Sequence, residues 1–160
     1  MNTTLKMERP TEQTASVRAD ALDMLLPEVM AWLKTDSDEA GVRKNLEAAV
    51  TDCSWDDDGY ALAKYLDTHC YWSVDAELVE VLEMWGVYEH RALSKAVKWW
   101  VRACNITPQH AVGDAVRAKW GHETIEGTIT KIYDEDATYV VTKQGDQPGY
   151  GAIVKFENVL

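Results

Sequence analysis

The chain has 160 residues, a net charge of −11 and a pI near 4.7. That is long enough to bury a hydrophobic core and too acidic to hold nucleic-acid backbone directly, an affinity that Lys and Arg supply by releasing counterions. With 46% hydrophobic residues and four prolines, global disorder is excluded as well.

No stretch of 18 apolar residues occurs, so no membrane-spanning helix is expected, and the excess of carboxylates disfavours anionic lipid surfaces. Residues 1–8 have no apolar run of the signal-peptide kind. Cys53, Cys70 and Cys104 are odd in number and scattered, a pattern of buried reduced thiols. These readings point to the cytoplasm, the host cell's if the chain is phage-encoded. Seven tryptophans stand against one phenylalanine. Each combines apolar area with a hydrogen-bonding tip, which suits cores that reach the surface, and also interfaces.

Taken in order, Met1 to Thr14 lacks periodicity and reads as a loose tail. Ser16 is placed to cap a first helix to Leu33, with Ala21, Leu22, Leu25, Val29, Trp32 and Leu33 inward. Pro27 inside that run predicts a kink or a second start, because it lacks an N–H and clashes with the preceding turn.

Asp36 with Glu39 resembles a capping pair and opens a second helix to about Thr51, weakened in its first turn by Gly41. A third follows Ser54-Trp55-Asp56-Asp57-Asp58 and carries Tyr60, Leu62, Ala63 and Leu66 to about His69. Carboxylates at its start complement the helix dipole. Ser73 is placed to cap a fourth helix, with Val74, Leu78, Val81, Leu82 and Trp85 on one face and Glu77, Glu80 and Glu83 on another. Gly86 is its expected end.

The fifth helix, about Tyr88 to Cys104, carries Arg91, Lys95, Lys98 and Arg102 as one basic stripe opposite Leu93, Ala96, Val97, Trp100 and Cys104. Trp99 falls beside the stripe. Two readings stay open for these cations. They either pair with the Glu-rich fourth helix, or form an exposed strip anchored by Trp99.

Between Asp36 and Glu89 there are fourteen carboxylates against Arg43, Lys44 and Lys64, so this stretch alone carries −11. Charge so localised is an argument about partners.

Pro108 breaks the helical pattern, and the hydrophobic period changes from 3.6 to 2. Ala115–Trp120, Ile125–Tyr133, Thr138–Lys143 and Ala152–Phe156 read as four strands separated by turn residues. Four short strands in so few residues close most easily as a small barrel. The runs Val112-Gly113-Asp114-Ala115-Val116-Arg117-Ala118-Lys119-Trp120, Glu126-Gly127-Thr128-Ile129-Thr130-Lys131-Ile132 and Val154-Lys155-Phe156-Glu157-Asn158-Val159-Leu160 resemble an SH3-like barrel of the Tudor, agenet or KOW type. The resemblance covers about a third of the chain. It implies a recognition module for peptide or nucleic acid, with Trp120, Tyr133 and Tyr139 in the place of an aromatic cage.

Chemistry finds little anchor. Asp56-Asp57-Asp58-Gly59 fails as a calcium loop, because aligning Gly59 with the loop's glycine leaves Ser54 and Tyr65 where an acidic first ligand and a bidentate Glu are needed. Cys53, His69, Cys70, His90 and Cys104 lack the close pairings that pre-orient zinc ligands. No phosphate-binding glycine loop or nucleophile elbow occurs. A glycosidase built on scattered carboxylates near Trp55 and Trp72 is the remaining enzymatic reading.

The expected fold is α+β: a tail over 1–14, an acidic all-α helical bundle over 15–105, and an SH3-like β-barrel over 111–160. The expected function is non-enzymatic, without metal or cofactor. It is that of an inhibitor from a phage or mobile element, of the anti-CRISPR, DNA-mimic kind, which blocks a host defence complex by covering a cationic surface. Asp56, Asp57, Asp58, Glu77, Glu80 and Glu83 would make that contact. The alternative is an adaptor whose barrel recognises a peptide or nucleic acid while the helical part oligomerises, a homodimer being one such assembly. Its working residues would be Arg91, Lys95, Lys98, Trp99, Arg102, Trp120, Tyr133 and Tyr139.

Overall fold

A computed structural model describes residues 7–34, 38–53, 58–147 and 149–160. Among the described residues, five α-helices precede a four-stranded antiparallel sheet. The helices are α1 (Ala15–Leu33), α2 (Glu39–Asp52), α3 (Gly59–Cys70), α4 (Ala76–Leu82) and α5 (Trp85–Ala103). The chain divides into two compact units, one over 10–94 and one joining 95–160 to the N-terminal residues.

In the 10–94 unit, α1 to α4 form a ring in which each helix packs on two others: α1 on α2, α2 on α3, α3 on α4 and α4 on α1. Leu22, Leu25 and Val29 of α1, Leu46 of α2, Leu66 of α3 and Leu78 and Leu82 of α4 are almost wholly buried. Burying an aliphatic side chain contributes about 1.5–3 kcal/mol, so these leucines and valines outweigh any surface ion pair in holding the ring.

Several local expectations change. Pro27 lies inside a continuous α1 rather than beginning a new helix. The residue before α1 is Thr14, not Ser16, and its hydroxyl accepts from Thr11 N (2.9 Å). Asp75, not Ser73, caps α4, accepting from Leu78 N at 2.9 Å. Gly86 does not end α4, which stops at Leu82; it falls in the first turn of α5. Tyr60 is 64% exposed, because the first turn of α3 points it outward while Leu62, Ala63 and Leu66 face the core. The proposed cap at Asp36 lies outside the described residues.

The sheet is a meander of β1 (Ala115–Trp120), β2 (Glu123–Tyr133), β3 (Thr138–Lys143) and β4 (Ala152–Lys155). Alternate residues Val116, Ala118, Ile125, Ile129, Tyr139, Val141 and Val154 fill its concave side. That is the two-residue period of half-buried strands. A shift of register at Ile129/Lys131 bends β2. The sheet curls far enough that Val159 bridges to Ala118 and Leu160 N donates to Arg117 O at 2.8 Å. The result is a curled half-barrel.

The first fourteen residues are not loose throughout. Trp100 Nε1 donates to Met7 O at 2.8 Å, and Arg9 donates to Asp136 O (2.6 Å) and Ala137 O (3.2 Å) while lying over the Trp100 ring. Its side chain is 13% exposed, so this arginine is a fixed strut of the 95–160 unit.

Candidate functional site

Of the six carboxylates expected to contact a partner, Asp56 and Asp57 lie outside the described residues. Asp58 caps α3, its Oδ1 accepting from Ala61 N at 3.0 Å. Glu77, Glu80 and Glu83 are all exposed. Glu77 stands 3.9 Å from Lys34, a loose exposed pair of small energetic weight. Glu80 and Glu83 make no ion pair among the described residues.

Gly59 is the reason the Asp run and α4 meet. A Cβ built on it would lie 2.5 Å from Glu83 N, 2.6 Å from Val79 O and 2.9 Å from Glu83 Cγ. Only a residue without a side chain allows the start of α3 to seat on the end of α4. Asp58 and Glu83 are therefore neighbours, and Glu80 follows one turn back on α4. This ridge is narrower than a single acidic face holding every surplus carboxylate. Glu39 and Glu47 belong to α2, which is diagonal to α4 in the helix ring. Others are already employed: Glu47 and Asp23 on Arg43, Asp75 on Trp32 Nε1 (3.0 Å), Glu28 on the Tyr88 hydroxyl.

Two cations of the basic stripe find their partner inside the 95–160 unit. Lys98 Nζ and Arg102 Nη2 reach Glu135 in the turn after β2, at 3.2 and 3.3 Å. The two cations hold the Glu135 carboxyl below the usual carboxylate range, Lys98 contributing most. Arg91 lies over the Tyr88 ring, 5.9 Å from its centre. Trp99 is 58% exposed beside the stripe. The strip is thus partly committed to the half-barrel.

Trp120, Tyr133 and Tyr139 do not form a cage. Tyr139 is 1% exposed, and its hydroxyl accepts from Gln109 N (3.0 Å) and His110 N (3.2 Å), tying the incoming chain to the core. Trp120 pairs with Glu123 at one end of β2, and Tyr133 closes the other end. The length of the eleven-residue β2 lies between them, a path along the strand of roughly 33 Å at about 3.3 Å per residue. Each has a cation above its own ring: Lys143 over Trp120, Lys131 over Tyr133.

Burial pushes the Cys70 thiol up, away from the thiolate that nucleophilic chemistry needs. A cleft in the 10–94 unit gathers Arg18, Glu12 and Glu89, residues no periodicity argument singled out. Arg18 was the one cation of α1, and that is the signal the sequence held. No protein-family model, curated protein or solved structure matches the chain.

Proposed function

We propose that the chain is a non-enzymatic acidic binding protein, an inhibitor of the kind phages and mobile elements encode, acting on a nucleic-acid-handling defence complex. Its 10–94 unit covers a cationic surface meant for phosphates. One observation carries this reading. The 10–94 unit has eighteen carboxylates against six Lys and Arg, a net −12, while the rest of the chain sums to +1. A field so confined steers a cationic partner toward one half of the molecule. Within that half, Asp58, Glu80 and Glu83 form the local ridge. Rigid carboxylates on helices displace the same counterions that phosphates do.

The test is retention of a host-lysate protein on the immobilised chain, repeated with Glu80→Lys/Glu83→Lys, with competing duplex DNA, and across salt. The reading expects a partner that DNA displaces, that the double reversal loses, and that weakens as salt rises. Retention indifferent to both the reversal and DNA refutes it.

A second reading has its own support in the half-barrel, which in this proposal is SH3-like and of the Tudor, agenet or KOW type. Trp120, Tyr150 and Ile153 are 46%, 70% and 63% exposed. Aromatic anchors of this sort dominate interface energetics. In the adaptor reading Trp120→Ala and Tyr150→Ala abolish partner capture, and Glu80→Lys/Glu83→Lys leaves it intact.

A further inference from the structure

At the far end of α3 the chain brings two tryptophans together. Tyr71 ends that helix in the left-handed region at φ 58°, and its N–H and that of Trp72 both donate to Leu66 O. The reversal carries Trp72 back against Trp32 of α1, with the rings 13° from parallel and 6.3 Å between centres. Asp75 fixes the pair. Its Oδ1 accepts from Trp32 Nε1 at 3.0 Å and from Leu78 N at 2.9 Å. The Trp32 ring is thereby locked to the cap of α4 before any partner arrives, which removes part of the ordering cost of binding.

Beside the two rings lies a pocket of about 410 Å³, completed by Leu33, Val42 and Asp38. Both indoles are half-buried, so each keeps surface open to it. Asp38 is the N-cap residue of α2, yet its carboxylate makes no capping hydrogen bond, and it has no ion pair among the described residues. Its Oδ2 lies 2.8 Å from where a Cβ on Gly41 would be, so the missing side chain there gives the carboxylate its place. Tyr71 adds a second sign. It is held at positive φ while 91% exposed, so stability alone gives no reason for an aromatic residue at that turn.

We propose that this pocket takes an arginine side chain of a protein partner, its guanidinium stacked on indole and hydrogen-bonded to the Asp38 carboxylate. The inference rests on the reading of the 10–94 unit as the cover of a cationic surface, and it names the side chain that this part of the unit accepts. An apolar occupant would cover the Asp38 carboxylate without giving it a donor, which is unfavourable. An anion meets that carboxylate inside a unit of net −12. A lysine ammonium matches the charge, but it is compact and strongly hydrated and gives up that hydration against the rings. Guanidinium is planar and weakly hydrated, stacks on aromatic faces, and carries a fork of donors that fits a carboxylate.

The test follows the indole N–H signals of Trp32 and Trp72 by NMR in the full-length protein, assigned with Trp32→Phe and Trp72→Phe. Three probes are titrated: N-acetyl-arginine amide, N-acetyl-lysine amide, and N-acetyl-citrulline amide, which keeps the shape of arginine without its charge. The arginine probe should shift both signals to saturation with a Kd of about 1–10 mM, the lysine probe binding about threefold more weakly and the citrulline probe about tenfold. Asp38→Asn should weaken the arginine probe by about tenfold, and because asparagine caps helices as well as aspartate does, α2 is kept. Lysine or citrulline binding as tightly as arginine overturns the proposal, as do indole signals unmoved by about 50 mM arginine probe. Binding unaffected by Asp38→Asn overturns it too. Should the pocket fail while a lysate protein is still retained, and still lost with Glu80→Lys/Glu83→Lys, this inference falls and the functional reading stands. Arginine binding here with no protein retained supports the pocket and counts against that reading.

Discussion

Gly59→Ala tests the packing that joins the Asp run to α4. The added Cβ would sit 2.5 Å from Glu83 N and 2.6 Å from Val79 O, both backbone atoms that cannot rotate away. Ordinary contact begins near 3.4 Å, so α3 and α4 must part by about 1 Å at their junction. Overpacking of that order costs about 1–3 kcal/mol. Alanine recovers roughly 0.4–1 kcal/mol, because it has less backbone entropy to lose on folding. The clash wins, leaving a net destabilisation of about 1–2 kcal/mol. For a chain of this length that lowers Tm by roughly 3–6 °C, measured by calorimetry or circular dichroism. Because the shift separates Asp58 from Glu83, partner capture should weaken at temperatures where the variant is still folded. A Tm within about 1 °C of wild type, or above it, would refute so close a meeting of the two helices.

Arg9→Met keeps most of the stem over Trp100 but removes the charged donors to Asp136 O and Ala137 O. Denaturant unfolding should show a loss of about 2 kcal/mol, and a loss under about 0.5 kcal/mol would mean that the strut carries no weight. Tyr71 ends α3 in the left-handed region at φ 58° and is 91% exposed, so Tyr71→Gly gives up no packing. Relief of the left-handed penalty should exceed the entropy cost of glycine by about 0.5–1 kcal/mol, seen as a higher midpoint in denaturant; a lower midpoint contradicts this. The Glu89 carboxyl has its pKa raised by folding, so the protonated form is the one the fold favours. Its contribution is therefore full below the unfolded value and is lost as pH rises through the folded one. Glu89→Gln should melt higher than wild type at pH 7, with the gap closing by about pH 4, and a gap that widens toward acid reverses the sign and refutes the assignment.

The four strands were legible in the sequence nearly to the residue, because a two-residue period bounded by glycine turns has few competing readings. The same period, followed one step further, also held the fate of Tyr139. It shares parity with Val141, so it faces the core, and a cage built on it was never open to solvent. The helices were legible as helices and less so at their ends. Gly86 looked like a stop signal, yet the break comes at Glu83 and Met84 without a left-handed glycine, so local chemistry held no sign of it. What periodicity cannot carry is pairing across the chain. Glu135 stands more than thirty residues from Lys98 and Arg102, and Arg18 lies on α1 while Glu89 lies on α5. Such groups meet only once the fold has been built, and both the committed cations and the charged cleft are of this kind.

That leaves the question of why so much charge is confined to one half. Solubility alone asks for a net charge of roughly 2–8 on a small domain, with both signs interspersed. The 10–94 unit carries −12, and the remainder, which needs solubility just as much, carries +1. Excess of one sign has a folding cost through self-repulsion, and Glu77, Glu80 and Glu83 at spacings of three add a few tenths of a kcal/mol per pair. Solvation could be had without that cost by spreading the carboxylates over both units. A function that needs the field on one side could not. In the proposed function a cationic partner reads the uneven distribution more than the total, and Glu80→Lys/Glu83→Lys separates this from a merely hydrated surface, which tolerates the reversal where a recognised one does not.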